Sequence, residues 1–290
     1  MKFCVLTVLL GAAGLSSTLT AGVLFYPTAA RAPSNQFAKA TWTLADPIAR
    51  AKYADGVRFS TGKGGPFSAD EDWWRVLSDK PQPGYWHCNV KILPGRKYLA
   101  GCWTRFPNAK ILLFFGGREA VSGREWQDRL YYFAGFNAQL KPYFNERLIA
   151  RLSDDPEKWK CLYYTFTCPN KLVNDAARVE LGLYLAAGDM TFSEPFLVDV
   201  TDLPPTLEVV IAESRPVVAL TVSETDTRDV RWTKKFDKPV MSWKGTLPSS
   251  CDAFHGQDRS RPKGHALRVD YADGTSEVVY APLDNEFTNH

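Results

Sequence analysis

Residues 178–185 read Arg178-Val179-Glu180-Leu181-Gly182-Leu183-Tyr184-Leu185, and this stretch decides the fold class. Val179, Leu181, Leu183 and Leu185 recur at every second position, the period of a β-strand that lays one face on a core. The same alternation turns Arg178, Glu180, Gly182 and Tyr184 to the opposite face. Working outward, runs of similar length and β-prone composition fill 85–93, 98–106, 110–115, 159–167 and 192–200, most of them bounded by Pro, Gly or Asn. Residues 125–136 fit two patterns: Trp126, Leu130 and Phe133 make a helical face, while 130–133 would equally fill a strand. Residues 39–83 are rich in Gly, Pro and Asp and read as loop with short strands at 57–59 and 73–77.

Leu203-Pro204-Pro205 interrupts the pattern, because adjacent prolines remove two backbone donors and stiffen the chain. We place a domain boundary there. Short β-type runs resume at 207–212, 217–222, 230–232, 240–243, 266–271 and 277–280, and Asp273-Gly274 supplies the positive φ of a tight hairpin. Asp270 and Glu277 beside it read as solvated hairpin charges. The expected fold is mainly β: a first sandwich over 33–203 followed by a second, smaller β-sandwich over 206–290.

The chain has 290 residues, 45% of them hydrophobic, and a formal charge of +3. So small a charge does not create the basic field that nucleic acid or an anionic membrane requires, and both are set aside as partners. No internal stretch reaches the roughly 18–20 apolar residues of a membrane-spanning helix. Met1-Lys2, the apolar run 3–15 and the small-x-small Ala30-Arg31-Ala32 read as a signal peptide over 1–32, with membrane contact confined to that segment. A second apolar patch at 21–26 leaves earlier cleavage near Ala21, or an uncleaved anchor, as alternatives. The expected location is secreted, periplasmic or cell-surface.

Export would leave Cys88, Cys102, Cys161, Cys168 and Cys251 in an oxidising compartment. Cys88 and Cys102 stand seven residues either side of Gly95. A symmetric hairpin there would set them opposite one another for a disulfide, whereas a turn joining two facing sheets would not. Cys161 and Cys168 cannot bridge within one strand, because they fall on opposite faces ~20 Å apart. No Cys or His spacing suggests zinc.

Three stretches, in order, resemble the jelly-roll, galactose-binding-like carbohydrate-binding module family. Leu93-Pro94-Gly95-Arg96-Lys97-Tyr98-Leu99-Ala100-Gly101-Cys102-Trp103 is similar to its Pro-Gly-x-x-Tyr turn and following strand. The run 159–169, led by Trp159 and closing Phe166-Thr167-Cys168-Pro169, resembles its Trp-led strand, and 179–185 with 196–200 looks like its closing pair. The resemblance spans roughly 85–201 and implies a jelly-roll β-sandwich that binds a glycan. It also raises a structural calcium, the one cofactor under consideration. The sequence departs from the family in lacking an Asn-x-x-Phe-Glu opening and in carrying Asp199 alone where the family often doubles its aspartate.

An outward Tyr184 beside Glu180 and Arg178 suits a sugar, since a pyranose offers an apolar face to an aromatic ring and a rim of hydroxyls to charged groups. In the strand from Lys97, Leu99, Gly101, Trp103 and Arg105 share a face, which the resemblance places on the concave sheet; Trp103 as core and Arg105 as an ordinary solvated charge is the alternative. Trp73 and Trp74 point oppositely, so one indole can be buried while the other forms a loop platform. Tyr85-Trp86-His87 poses the same choice. Asp70-Glu71-Asp72 is a charged loop with the chemistry to chelate a hard cation.

His87, His255, His265 and His290 sit in no recognisable catalytic motif. The sequence therefore points to an exported, non-catalytic carbohydrate-binding protein. A β-sandwich polysaccharide lyase or glycoside hydrolase working on the concave face is the alternative. A module that presents an aromatic patch to another exported protein is a third reading.

Overall fold

The computed structural model describes residues 22–44, 56–105, 110–118, 125–133, 158–168, 170, 176–224, 229–252 and 265–280. Thirteen strands are found among them: β1 (Gly22–Pro27), β2 (Thr43–Leu44), β3 (Val57–Lys63), β4 (Asp72–Lys91), β5 (Lys97–Arg105), β6 (Lys110–Arg118), β7 (Glu125–Phe133), β8 (Lys160–Thr167), β9 (Ala176–Asp199), β10 (Leu207–Glu224), β11 (Val230–Thr246), β12 (His265–Tyr271) and β13 (Ser276–Tyr280). Short 3-10 turns occupy Thr28–Arg31 and Gln36–Lys39. The segment 125–133 resolves as strand, paired along its length with β6.

Two long strands organise the first unit. β4 and β9 pair antiparallel along their lengths, with register shifts between Ser78 and Gly84. The first half of β4 and the second half of β9 join β3, β5 and β8 in one sheet. Their other halves join β2, β6 and β7 in a second. The stretches 178–185 and 192–200 are thus one strand shared by both sheets. Val76, Trp86, Cys88, Val90, Tyr98, Ala100, Cys102, Phe166, Val179, Leu181, Leu183, Met190 and Phe192 fill the space between, each at most 9% exposed. This is a jelly-roll sandwich.

The turn at Pro94-Gly95 is held from several sides. Gly95 takes φ 70°, which favours glycine. The Leu93 N–H donates to Tyr98 Oη at 2.8 Å, and Arg96 reaches Asp199 and Asp202 at 2.7 and 2.8 Å. The turn links the two facing sheets, so Cys88 pairs in register with Val179 and Cys102 with Leu162. The hairpin disulfide fails for that reason, and the five cysteines of the described residues are buried and form no disulfide among themselves.

The second unit is one folded sheet in the order β1-β10-β12-β13, with β11 added to β10. β10 bends at irregularities between Ala212 and Ala219, so its first half meets β1 and its second half β12, and β1 comes up against β13. The Asp273-Gly274 hairpin forms as the sequence implies, with Gly274 at φ 83°. The inner face of this sheet packs on the outer face of the jelly roll: Val23, Phe25, Leu207, Val209, Ile211, Leu220 and Val222 share one core with Leu99, Trp103, Cys161, Tyr163, Phe196 and Val198. Gly101 permits this packing, since a Cβ there would meet the Phe196 ring at 2.4 Å.

β1 corrects the sequence reading. Residues 22–32 were expected within a signal peptide, yet Val23 to Tyr26 are at most 6% exposed and pair with β10 from Gly22↔Ala212 to Pro27↔Leu207. Their apolar character, which mimics a leader, is that of a doubly covered strand.

Candidate functional site

The outer face of the β2-β4-β9-β6-β7 sheet gathers polar and aromatic positions in register. With Trp86, Cys88 and Val90 turned into the core, alternation sends half-exposed His87 and exposed Asn89 outward, while Tyr85, beside the irregularity at Gly84, is half-exposed and packs against the core. Across the ladder Tyr85, His87 and Asn89 stand opposite Gly182, Glu180 and Arg178 of β9. Directly opposite positions bring Cβ atoms to about 4.5–5.5 Å, so His87 and half-exposed Glu180 are neighbours. On the outer side of β4, exposed Thr43 pairs with His87, and its Oγ1 shares a hydrogen bond of 3.1 Å with His87 Nε2. On the far side of β9, the register continues from Glu180 to Phe114 and from Phe114 to Arg129.

Gly182 is required by the backbone, because a Cβ there would fall 2.0 Å from the Gly84 carbonyl oxygen. The face therefore offers a hydroxyl, an imidazole, an amide and a carboxylate over neighbouring positions, the groups that grip sugar hydroxyls.

The candidate residues separate clearly. Glu180 is on this face. Arg178 and Tyr184 lie in β9, and their side chains fall outside the described residues. Trp103 does not join them: it is 1% exposed, with Tyr26, Phe67 and Phe196 packed around it at ring-centroid distances of 5.5, 4.9 and 5.3 Å. Its face of β5 is the one covered by the second unit, so the core alternative is realised. Arg105, at the end of the same row, lies over the Trp159 ring at 4.7 Å.

Trp73 and Trp74 do point apart, but both are half-buried and neither is a free platform. Trp73 donates from Nε1 to the Lys63 carbonyl at 2.8 Å, and Trp74 stacks on Phe192 at 5.5 Å. His87 entered the sequence reading only through the choice posed for Tyr85-Trp86-His87, and Asn89 and Thr43 were not singled out as binding residues. The signal for the first two was present in the alternation around Trp86, Cys88 and Val90; only the register linked them to Glu180.

Other charged groups are engaged structurally. Within Asp70-Glu71-Asp72, Asp72 pairs with Lys63 at 2.7 Å and Glu71 accepts the Phe67 N–H at 2.9 Å. Among the described residues no three His, Cys, Asp or Glu side chains converge as metal ligands. Burial alone would raise the Asp199 carboxyl, but hydrogen bonds from Arg96 and Thr201 outweigh it and hold it below its ordinary value. Asp199 thus has an arginine as its cation.

Glu277 is not a solvated hairpin charge. It accepts from Lys158 at 2.7 Å, from Tyr271 at 3.0 Å and from Arg215 at 3.2 Å, and Glu213 accepts from the same Lys158 at 3.2 Å. This network ties the segment before β8 to the second sheet. Burial, then the two carboxylates, pushes the Tyr271 phenol up.

No protein-family model and no curated protein matches the chain. The solved structures that resemble it are mostly jelly-roll carbohydrate-binding modules. A family 4 module is 10% identical with a TM-score of 0.34, covering 55% of this chain and 86% of its own. A family 16 module is 11% identical with a TM-score of 0.34, covering 58% of this chain and 98% of its own. The Endo-D glycoside hydrolase domain from Streptococcus pneumoniae R6 is 10% identical with a TM-score of 0.28, covering 85% of this chain and 37% of its own. The likeness is one of fold, and one fold hosts many unrelated functions. The residues of the outer face must carry any functional conclusion.

Proposed function

We propose that this chain is an exported, non-catalytic carbohydrate-binding protein that holds a poly- or oligosaccharide on the outer face of the β2-β4-β9-β6-β7 sheet. The observation that carries this reading is the register Tyr85–His87–Asn89 against Gly182–Glu180–Arg178, on the jelly-roll face opposite to the one that the second unit covers. Export is supported by the charged start and apolar run of residues 1–15. Cleavage near Ala21 would leave β1 in place.

The test is a glycan-array screen with and without calcium, followed by titration of any bound glycan into His87→Ala, Glu180→Gln and Tyr184→Ala variants. Each variant is expected to weaken binding by about tenfold, ~1.4 kcal/mol. Retention of full affinity in all three would remove the ligand from this face, and no glycan bound at all would end the carbohydrate reading.

His87 beside Glu180 favours one second reading, a polysaccharide lyase or hydrolase using the same face, because an imidazole and a carboxylate in adjacent register can exchange protons with a substrate. Turnover of a bound polysaccharide, abolished in His87→Ala, would select it over the binding module.

A further inference from the structure

Strand β11 belongs to neither the core nor the face described above. Every one of its residues is exposed or half-exposed, and among the described strands it pairs with β10 alone. It carries Arg231, Lys234, Lys235, Lys238 and Lys244 against Asp237, a net of +4 on one strand of a chain whose whole charge is +3. Arg231 and Lys244 are matched by Glu224 and Glu208 of β10, at 2.9 and 2.7 Å. Among the described residues Lys234, Lys235 and Lys238 form no ion pair.

Aromatic rings are set between these cations. Trp232 and Trp243 lie near parallel, 24° apart with centroids at 6.4 Å, and Phe236 meets Trp243 edge-on at 5.7 Å. The Trp243 ring lies along its own strand over Gly245, where a Cβ would come within 2.3 Å of it. Lys234 Nζ sits 5.3 Å from the Phe236 ring and 5.6 Å from the Trp243 ring. Trp232 pairs with Val222, Lys234 with Leu220 and Trp243 with Ile211, so this row continues the buried face of β10 beyond the edge of the core. Both indoles are half-exposed and pack against the core of the second unit, while Lys235, one step along the ladder from Lys234, stands on the opposite face.

The occupant follows from these two properties together. A flat, half-exposed indole suits the C–H face of a sugar ring, and the Lys234 ammonium beside it, which forms no ion pair among the described residues, calls for an anion. A neutral glycan would leave the lysines unanswered, and a nucleic acid or bilayer needs a stronger basic field than a +3 chain provides. A polymer of uronic acids carries one carboxylate on each ring and leaves the ring faces open. We propose that β11 is a second glycan-binding surface, separate from the jelly-roll face, whose ligand is a polyuronate: rings stack on Trp232 and Trp243, a carboxylate pairs with Lys234, and the exposed Lys235 and Lys238 of the same strand add to the attraction.

The test titrates sodium polygalacturonate into the full chain, following tryptophan fluorescence and heat. Binding is expected to weaken as salt rises, to fall about tenfold or more in a Lys234→Gln/Lys235→Gln/Lys238→Gln variant, and to survive in His87→Ala. Circular dichroism of the triple variant should match that of the parent, since Lys235 and Lys238 are exposed and Lys234 is half-exposed. A Trp243→Leu variant should lose the fluorescence response as well as affinity. Three results would overturn the proposal: no binding of polygalacturonate, equal binding by the triple variant, or loss in His87→Ala with retention in the triple variant, which would assign the uronate to the jelly-roll face. Stronger binding to phosphatidylglycerol vesicles or to single-stranded DNA than to polygalacturonate would also overturn it, and would identify the partner as a membrane or nucleic acid. Failure of the jelly-roll face to bind any glycan leaves each of these results readable.

Discussion

Tyr26 and Trp103 meet edge to face, with ring centroids 5.5 Å apart and 68° between their planes. Tyr26 belongs to β1, a segment with the composition of a leader, and Trp103 to a strand face with the composition of a sugar platform. Their contact makes both of them core. Tyr26 also donates to Glu208 Oε2 at 3.1 Å, so β1 is fixed to β10 by a buried side-chain bond as well as by the ladder.

Removal of residues 1–32 should therefore prevent stable folding, while removal of residues 1–21 should not. The longer truncation takes out Val23, Leu24, Phe25 and Tyr26, and each large buried apolar side chain contributes about 1.5–3 kcal/mol. A domain's net stability is only ~5–15 kcal/mol. Thermal unfolding followed by circular dichroism compares the two; equal melting temperatures would show that β1 is dispensable.

Trp103→Ala should destabilise the protein by about 3–5 kcal/mol, the usual cost of deleting a fully buried large ring. His87→Ala, at a half-exposed position, should shift stability by no more than ~0.5 kcal/mol while affecting glycan affinity. Urea denaturation measures the first effect and titration the second. A Trp103→Ala protein of unchanged stability that has lost its ligand would restore Trp103 to the site.

The Arg96–Asp199 pair makes part of the stability depend on acid. The Asp199 carboxyl is held below its ordinary value, so the unfolded chain takes up this proton first as pH falls. The pair's contribution is complete above the ordinary aspartate value near ~4 and drains away as pH drops through the lower folded value. Melting temperatures measured from neutrality down to about pH 3 should fall less steeply for Asp199→Asn than for the parent. Parallel slopes would remove Asp199 from the acid response.

The buried cysteines should behave as inert thiols. Burial pushes the Cys88 thiol up to about 12 and raises Cys102 and Cys161 as well, so little thiolate exists to attack a reagent at mildly alkaline pH. An aromatic disulfide reagent should label none of Cys88, Cys102, Cys161, Cys168 and Cys251 in the folded protein and all of them in denaturant. Recovery of a Cys88–Cys102 disulfide peptide after non-reducing digestion would contradict the placement of these residues on facing sheets.

Alternation was legible wherever one face of a strand is apolar. Val179, Leu181 and Leu183 are each 0% exposed, and Glu180 between them is half-exposed, as a period of two requires. The Pro94-Gly95 turn, the Asp273-Gly274 hairpin and the break at Pro204-Pro205 were legible for a related reason: the local backbone has few choices there. The row Leu99, Gly101, Trp103 and Arg105 was also grouped correctly, but its environment was not readable. Both faces of β5 are buried, one against the sandwich and one against the second unit, and alternation carries no information when both sides are dry.

What the sequence by itself determined is the mainly-β class, the parity of each strand and the turns, because these depend on side-chain period and on the φ angles of a few residues. Tertiary structure alone decided that β4 and β9 each serve two sheets, that β1 closes the second unit, that Cys88 and Cys102 belong to different sheets around one core, and that His87 stands beside Glu180. Each of these is a pairing between distant segments. Register between strands is set by how whole faces pack and by where the backbone bends, and no local stretch encodes it.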